Sequence, residues 1–149
     1  MMNQDDPISV LETLIETCRD GEKGYKDAAE HVKRPDLKAF FAEQSVERGR
    51  FARELEAELA RLGKPGKKES GSVAGAMHRA WIDTKANLGG GDHTILESVE
   101  QGEDRAKEAY EKALNASLPS EVQMIVRRQA ESIRRTHDKV KSMRDTLAA

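Results

Sequence analysis

The chain has 149 residues, of which 37% are apolar, 35% charged and 4% aromatic. This length predicts one domain spanning residues 1–149, large enough to bury a core without disulfides or a structural metal. Its 25 basic and 27 acidic residues nearly balance, for a net charge of −2. That balance excludes the strong positive field typical of nucleic-acid-binding proteins, so no nucleic-acid partner is expected.

The cysteine content and the N-terminal residues indicate the expected cellular location. Cys18 is the single cysteine and lies on an apolar stripe, which is typical of a small buried hydrophobic residue. The residues before Pro7 contain neither a basic nor an apolar signal region, and no run of about 18 apolar residues occurs. We therefore expect a cytoplasmic protein without a membrane partner.

The first predicted helix covers about residues 7–33. Asp5 or Asp6 can cap it, and Pro7 suits its first turn. Apolar residues recur along it at alternating steps of three and four, as in a helix that packs one face against neighbours. Glu22 is the one charged residue on this stripe.

The second predicted helix covers about residues 36–62 and has a polar middle. Pro35 disfavours helical geometry in the residue before it, so the first helix should end there. Asp36 is expected to cap the second helix. Gly63 should end it, because glycine adopts positive φ at low cost.

Three more helices follow a loop rich in Gly, Pro, Lys and Ser. A short helix is predicted over about 73–88, and three glycines end it. One long helix is predicted over about 93–116, and Glu103 interrupts its apolar stripe. Another is predicted over about 119–147, and Gln129 interrupts its apolar stripe.

The lengths of the connections predict the topology. Short turns make the first two long helices one antiparallel hairpin and the last two another. Some thirty residues separate the hairpins, which is enough to cross the bundle and let the third long helix run parallel to the second. The fold class is therefore all-α: a ferritin-like four-helix bundle whose long crossover carries an additional short helix.

Polar residues interrupt the apolar stripes at about one height. Reflection about the first turn brings Glu22 level with Glu47, and the two are expected to meet. Reflection about the second turn brings Glu103 near Glu131, but Glu131 falls on the outer face of its helix, and the inward residues nearest that level are Gln129 and Ser132. We define the predicted polar layer as Glu22, Gln44, Glu47, Arg48, Glu103 and Gln129.

Glycines cluster beside this layer, although each costs roughly 1 kcal/mol relative to alanine in a helix interior. We expect the missing side chains to let helices approach or to leave room for a guanidinium. The glycines are Gly21, Gly24, Gly49 and Gly102.

Nearly the whole chain resembles the ferritin-like superfamily, and within it an uncharacterised bacterial family of small four-helix-bundle proteins. That family has no established activity, so the resemblance implies a fold more than a function. The residues that carry it are Gly21-Glu22, Gly24-Tyr25, Glu47-Arg48, the segment from Gly75 to Trp81, Gly102-Glu103-Asp104, Tyr110, Gln129 and His137.

Ferritin-like di-iron proteins place one Glu on each of two helices and Glu-x-x-His on the other two. Glu22 and Glu103 match the single Glu positions, but no histidine fills either Glu-x-x-His position. Arg48 would place a permanent positive charge where the metals lie, and a guanidinium can bridge carboxylates much as a cation does. The sequence therefore predicts an internal ion cluster, with Arg48 neutralising Glu22.

Two hypotheses for function follow from these residues. The first is a non-catalytic interaction or stress-associated protein, with no catalytic residue and no cofactor. The alternative is a metal-dependent oxidase or iron-handling protein that binds iron or another divalent metal through Glu22, Glu47 and Glu103, with His137 one to two turns away. The identity of a protein partner cannot be read from the sequence, but Phe40 and Leu59 could support a homodimer.

Overall fold

The computed structural model describes residues 6–63, 75, 79 and 91–148. These residues form four long helices, which confirms the predicted all-α four-helix architecture with bounds that agree to within two residues. The predicted helix over 73–88 lies outside the described residues except for Gly75 and Arg79, which are both helical. The helices are α1 (Pro7–His31), α2 (Pro35–Arg61), α3 (Gly91–Leu114) and α4 (Ser120–Ala148).

The ends of the first two helices follow local sequence signals, with one correction. The Asp6 side chain accepts a hydrogen bond from the backbone N–H of Ile8 at 3.1 Å and caps α1. Gly63 follows α2 with a φ of 89°, as expected. Asp36, however, lies in the first turn of α2 and pairs with Arg34 at 2.9 Å. Because the fixed φ of Pro35 suits a first helical position, α2 begins one residue before the predicted start.

Asp92, at the start of α3, establishes the direction of that helix. Its carboxylate accepts hydrogen bonds from the backbone N–H groups of Lys33 at 2.8 Å and Arg34 at 3.0 Å. The start of α3 therefore lies at the end of α1, so α3 runs antiparallel to α1 and parallel to α2. Packing of α1 on α2 and α3, and of α4 on α3 and α2, completes the bundle.

A polar level divides the apolar core of the described residues into two clusters. The first contains Leu14 and Phe51, and the second contains Phe41 and Leu96. Arg48 lies on α2 between the two clusters and is itself buried. The interruption that the sequence predicts in the apolar stripes is therefore an interruption of the core.

The two residues considered for a homodimer contact are both used within the chain. Leu59 is buried in the first apolar cluster. Phe40 packs against the second cluster, and the Lys139 ammonium lies 4.7 Å from the centre of its ring. A homodimer stays a prediction, and these two residues no longer support it. Within the described ranges, none of the helices has the length and apolar character needed to span a bilayer.

Candidate functional site

Arg48 and Glu103 form a buried ion pair between α2 and α3. Arg48 Nη2 donates to Glu103 Oε2 at 2.7 Å, and the two side chains are only 2% and 3% exposed. Burial lowers the pKa of Arg48, but the Glu103 carboxylate more than offsets this effect and holds the pKa above its ordinary value. The pair is thus a salt bridge whose cation stays charged at any physiological pH.

Tyr25 of α1 completes the surroundings of Arg48. The guanidinium lies 5.4 Å from the centre of the Tyr25 ring, within the range of a cation–π contact. The Tyr25 hydroxyl is buried beside the Glu103 carboxylate, which can accept a hydrogen bond from it. Burial and then the charge of Glu103 raise its pKa well above the ordinary value, so the phenol keeps its proton.

Glu22 is not neutralised by Arg48, which corrects the prediction. Its side chain is 31% exposed, and Oε1 accepts from Arg19 Nη1 at 2.9 Å. Arg19 precedes Glu22 by one helical turn and also reaches Glu56 of α2 at 2.8 Å. Arg19 lies on the same face of α1 as Glu22 and is therefore within reach of it, whereas Arg48 points to Glu103 of α3.

Gln44 and Glu47 face α4 instead of joining the buried pair. Gln44 Oε1 accepts from Thr136 Oγ1 at 3.2 Å, and both side chains line a groove between α2 and α4 together with Glu47. Glu47 is 27% exposed and pairs with Arg50. Successive helical residues point about 100° apart, so Glu47 and Arg48 occupy different faces. The expected meeting of Glu47 with Glu22 does not occur.

Gln129 belongs to a second buried polar group, within the first apolar cluster. Its Oε1 accepts from the Tyr110 hydroxyl at 2.7 Å, and its Nε2 donates to the Phe51 carbonyl at 3.3 Å. Cys18 Sγ lies 3.0 Å from the Tyr110 oxygen and can donate to it. Burial raises the pKa of the Cys18 thiol to about 11. This network makes Cys18 a protonated structural residue, as the sequence predicts.

His137 lies near three carboxylates in an arrangement that sequence reasoning missed. Its Nε2 is 2.6 Å from Asp104 Oδ1, its Nδ1 is 3.2 Å from Asp138 Oδ1, and Glu100 lies close by. Burial lowers the pKa of His137, but the bonds to Asp138 and Asp104 raise it above the ordinary value overall. The missed signal was the i,i+4 spacing of Glu100 and Asp104 on α3.

Glu100, Asp104 and His137 are also the described residues best placed to hold a metal ion. One ligand atom from each lies within 4.8 Å of the others. Arg144 Nη1 contacts Glu100 Oε2 at 2.6 Å, so a metal would have to displace this arginine. The set predicted from sequence is not brought together, because Glu22 and Glu47 pair with Arg19 and Arg50 near the surface.

Two of the clustered glycines make room for charged side chains: Gly21 for a guanidinium, as predicted, and Gly49 for a carboxylate. A Cβ on Gly21 would lie 3.1 Å from Arg48 Nη1, and one on Gly49 would clash with the Glu22 carboxylate. A Cβ on Gly24 would meet no heavy atom of the described residues within 4 Å. Gly24 and Gly102 instead line a cavity of about 210 Å³ beside the buried ion pair.

Comparison with known families identifies the chain through its first three helices. Residues 6–116 match the family model described as a domain of unknown function, DUF2383. The chain belongs to this family. The DUF2383 segment contains both members of the buried pair, whereas Gln129 and His137 lie beyond it on α4. No curated protein matches the chain.

Proposed function

We propose that this DUF2383 protein is a non-catalytic ferritin-like bundle that acts as an interaction or stress-associated protein in the bacterial cytoplasm. Its one long connection between two antiparallel hairpins supports the ferritin-like assignment. The single cysteine, buried as a thiol, is consistent with a reducing compartment.

The Arg48–Glu103 pair is the observation that carries this proposal. In ferritin-like di-iron proteins, carboxylates projecting into the bundle core hold the metal ions. Here Glu103, the inward carboxylate of α3, is engaged by a guanidinium at 2.7 Å. A permanent cation so close would repel a divalent metal, and the low accessibility of both side chains leaves little solvent to screen that repulsion. The internal pair thus supplies the charge balance that iron supplies in a di-iron site.

Metal analysis of the full chain tests this proposal. Protein purified without chelators should contain much less than one metal ion per chain when its metal content is measured by elemental mass spectrometry. It should also fail to oxidise added Fe²⁺. One or more tightly held irons per chain with catalytic turnover would refute it. Arg48→Gln provides a matched comparison, because loss of the cation should raise metal affinity at Glu103 if the guanidinium is what excludes metal.

A second candidate function, an iron-handling protein or metal-dependent oxidase, is favoured by the group of Glu100, Asp104 and His137. Two carboxylates and an imidazole suit iron and other divalent metals. Titration with Fe²⁺ should then show one binding event that His137→Gln abolishes. His93→Gln is the control, because His93 lies on the same bundle with one exposed carboxylate, Glu97, at 3.2 Å.

A further inference from the structure

Glu100, Asp104 and His137 form a group of side chains that joins α3 to α4. Glu100 and Asp104 lie one helical turn apart on one face of α3, and His137 of α4 lies against them. The side chains of His137 and Glu100 are 10% and 12% exposed, whereas that of Asp104 is 59% exposed. The group therefore has two largely buried members and one open side through which an ion can enter.

His137 is oriented like an imidazole that binds a metal ion. Its Nε2 lies 2.6 Å from Asp104 Oδ1, and its Nδ1 lies 3.2 Å from Asp138 Oδ1. In metal sites one ring nitrogen usually donates its proton to a carboxylate outside the site, while the other nitrogen binds the ion. Asp138 is in place to accept the Nδ1 proton, which leaves Nε2 as the ligand atom that faces Asp104.

Glu100 has a resident cation, Arg144, which is held mainly by another carboxylate. Arg144 Nη1 lies 2.6 Å from Glu100 Oε2, but this buried oxygen receives no well-aligned hydrogen bond from the described residues. Arg144 donates hydrogen bonds to Asp145 instead, through Nε at 3.2 Å and Nη2 at 2.8 Å. The guanidinium can therefore leave Glu100 and still keep a carboxylate partner.

The charges and the spacing of the group suit one divalent ion. Glu100 and Asp104 supply two negative charges. Lys107 also acts on His137, and Asp138 offsets its charge. Ligands of one such ion lie within about 4.4 Å of each other, because each is about 2.0–2.2 Å from it. The three candidate ligand atoms lie within 4.8 Å of one another, so small side-chain rotations would bring them onto one ion.

The donor types indicate which ion fits. An imidazole with two carboxylates suits a first-row transition metal such as Fe²⁺ or Zn²⁺, whereas Mg²⁺ takes oxygen ligands. We propose that these three side chains bind one divalent transition-metal ion, and that Arg144 regulates the binding by occupying Glu100 until the ion displaces it. This inference rests on the second candidate function, which uses the same ligands, and adds the regulation of that site.

Calorimetric titration of the full-length chain with Zn²⁺ measures the affinity of the site. The wild type should bind one Zn²⁺ through this group and should not bind Mg²⁺ there. Arg144→Gln should bind Zn²⁺ about tenfold more tightly, because a charged group no longer competes with the ion for Glu100. His137→Gln should abolish the binding, because it removes the imidazole ligand.

Arg128→Gln is the matched control for the arginine variant. Arg128 lies on the same helix, and its guanidinium pairs with Glu54 of α2 at 2.5 Å, so this variant also breaks an ion pair between two helices. Arg128 is more than two helical turns from His137 on α4. The variant should therefore leave the Zn²⁺ affinity unchanged.

Nuclear magnetic resonance of the arginine side chains tests the displacement in the wild-type protein itself. Zn²⁺ should shift the Nε–H signal of Arg144 in proportion to the occupancy of the site. The same addition should leave this signal unshifted in His137→Gln. A site that binds metal without displacing Arg144 would also leave the signal of the wild type unshifted.

Three results would overturn the inference. Absence of Zn²⁺ binding in both the wild type and Arg144→Gln would refute the site, and the second candidate function with it. Equal affinities of these two proteins, with binding still abolished in His137→Gln, would refute the role of Arg144 and leave that candidate function intact. An unshifted Arg144 signal in the Zn²⁺-saturated wild type would refute the displacement. Zn²⁺ binding that Arg144→Gln tightens, without oxidation of Fe²⁺, would support this inference while refuting the oxidase.

Discussion

Arg48→Ala should destabilise the protein strongly, because it leaves the Glu103 carboxylate buried without its partner. The side chains of the pair are 2% and 3% exposed. Removing one member of such a pair costs about 3–5 kcal/mol. The neighbouring cavity lets water approach Glu103 in the variant, which favours the lower end, about 3 kcal/mol. In a chain of this length, that loss corresponds to a fall in melting temperature of roughly 6–12 °C.

Urea denaturation monitored by circular dichroism measures this effect, and two further variants isolate its cause. Arg50→Ala removes an arginine from the same helix whose side chain is 61% exposed, and it should cost less than about 1 kcal/mol. Arg48→Met combined with Glu103→Leu removes both charges and should be markedly more stable than Arg48→Ala. The reasoning fails if Arg48→Ala is as stable as Arg50→Ala. It also fails if the double variant is as unstable as Arg48→Ala, since lost volume would then be the cause.

The remaining predictions concern a histidine, a thiol and two glycines. The folded pKa of His137 is raised, so its contribution to stability is complete below about pH 6.5 and is lost as pH rises through the folded pKa. The urea midpoint of the wild type, measured with chelator present, should therefore exceed that of His137→Gln by a larger margin at pH 6 than at pH 8.5. The same margin at both pH values would contradict this prediction. Cys18, with a pKa of about 11, should resist a thiol-labelling reagent at pH 8 until the chain unfolds, whereas rapid native labelling would show that it is accessible. Gly24→Ala should stabilise the chain by about 0.5–1 kcal/mol. Gly21→Ala should stabilise the chain less than Gly24→Ala does, because its Cβ would press on Arg48. Equal increases in melting temperature for the two variants would exclude such a contact.

The sequence by itself determined the four long helices and their ends. Apolar periodicity fixes which face of each helix is buried, and local signals such as Asp6 before Pro7 and the positive φ of Gly63 act within one turn. The long connection between the hairpins also predicted that α3 runs parallel to α2. These features could be predicted because each depends on residues close together in the chain or on chain length alone.

The sequence also predicted that Arg48, Glu103 and Gln129 are buried polar residues, because each interrupts an apolar stripe. It did not predict the partners of the polar residues correctly. Arg48 pairs with Glu103 instead of Glu22, Glu22 pairs with Arg19, and Gln129 bonds to Tyr110. A heptad register gives the direction of a side chain only to within a fraction of a turn, whereas a hydrogen bond requires atoms within about 3 Å.

Only the tertiary structure decided which charges meet and what lies beside them. The choice of Arg48 for Glu103 depends on how α2 and α3 are rotated and separated, and residues distant in sequence set that geometry. The cavity depends on three separate parts of the chain and on the glycines between them, so no single segment indicates it. The sequence could place a buried charge at mid-height in the bundle. The packing of the helices decided which residue neutralises that charge.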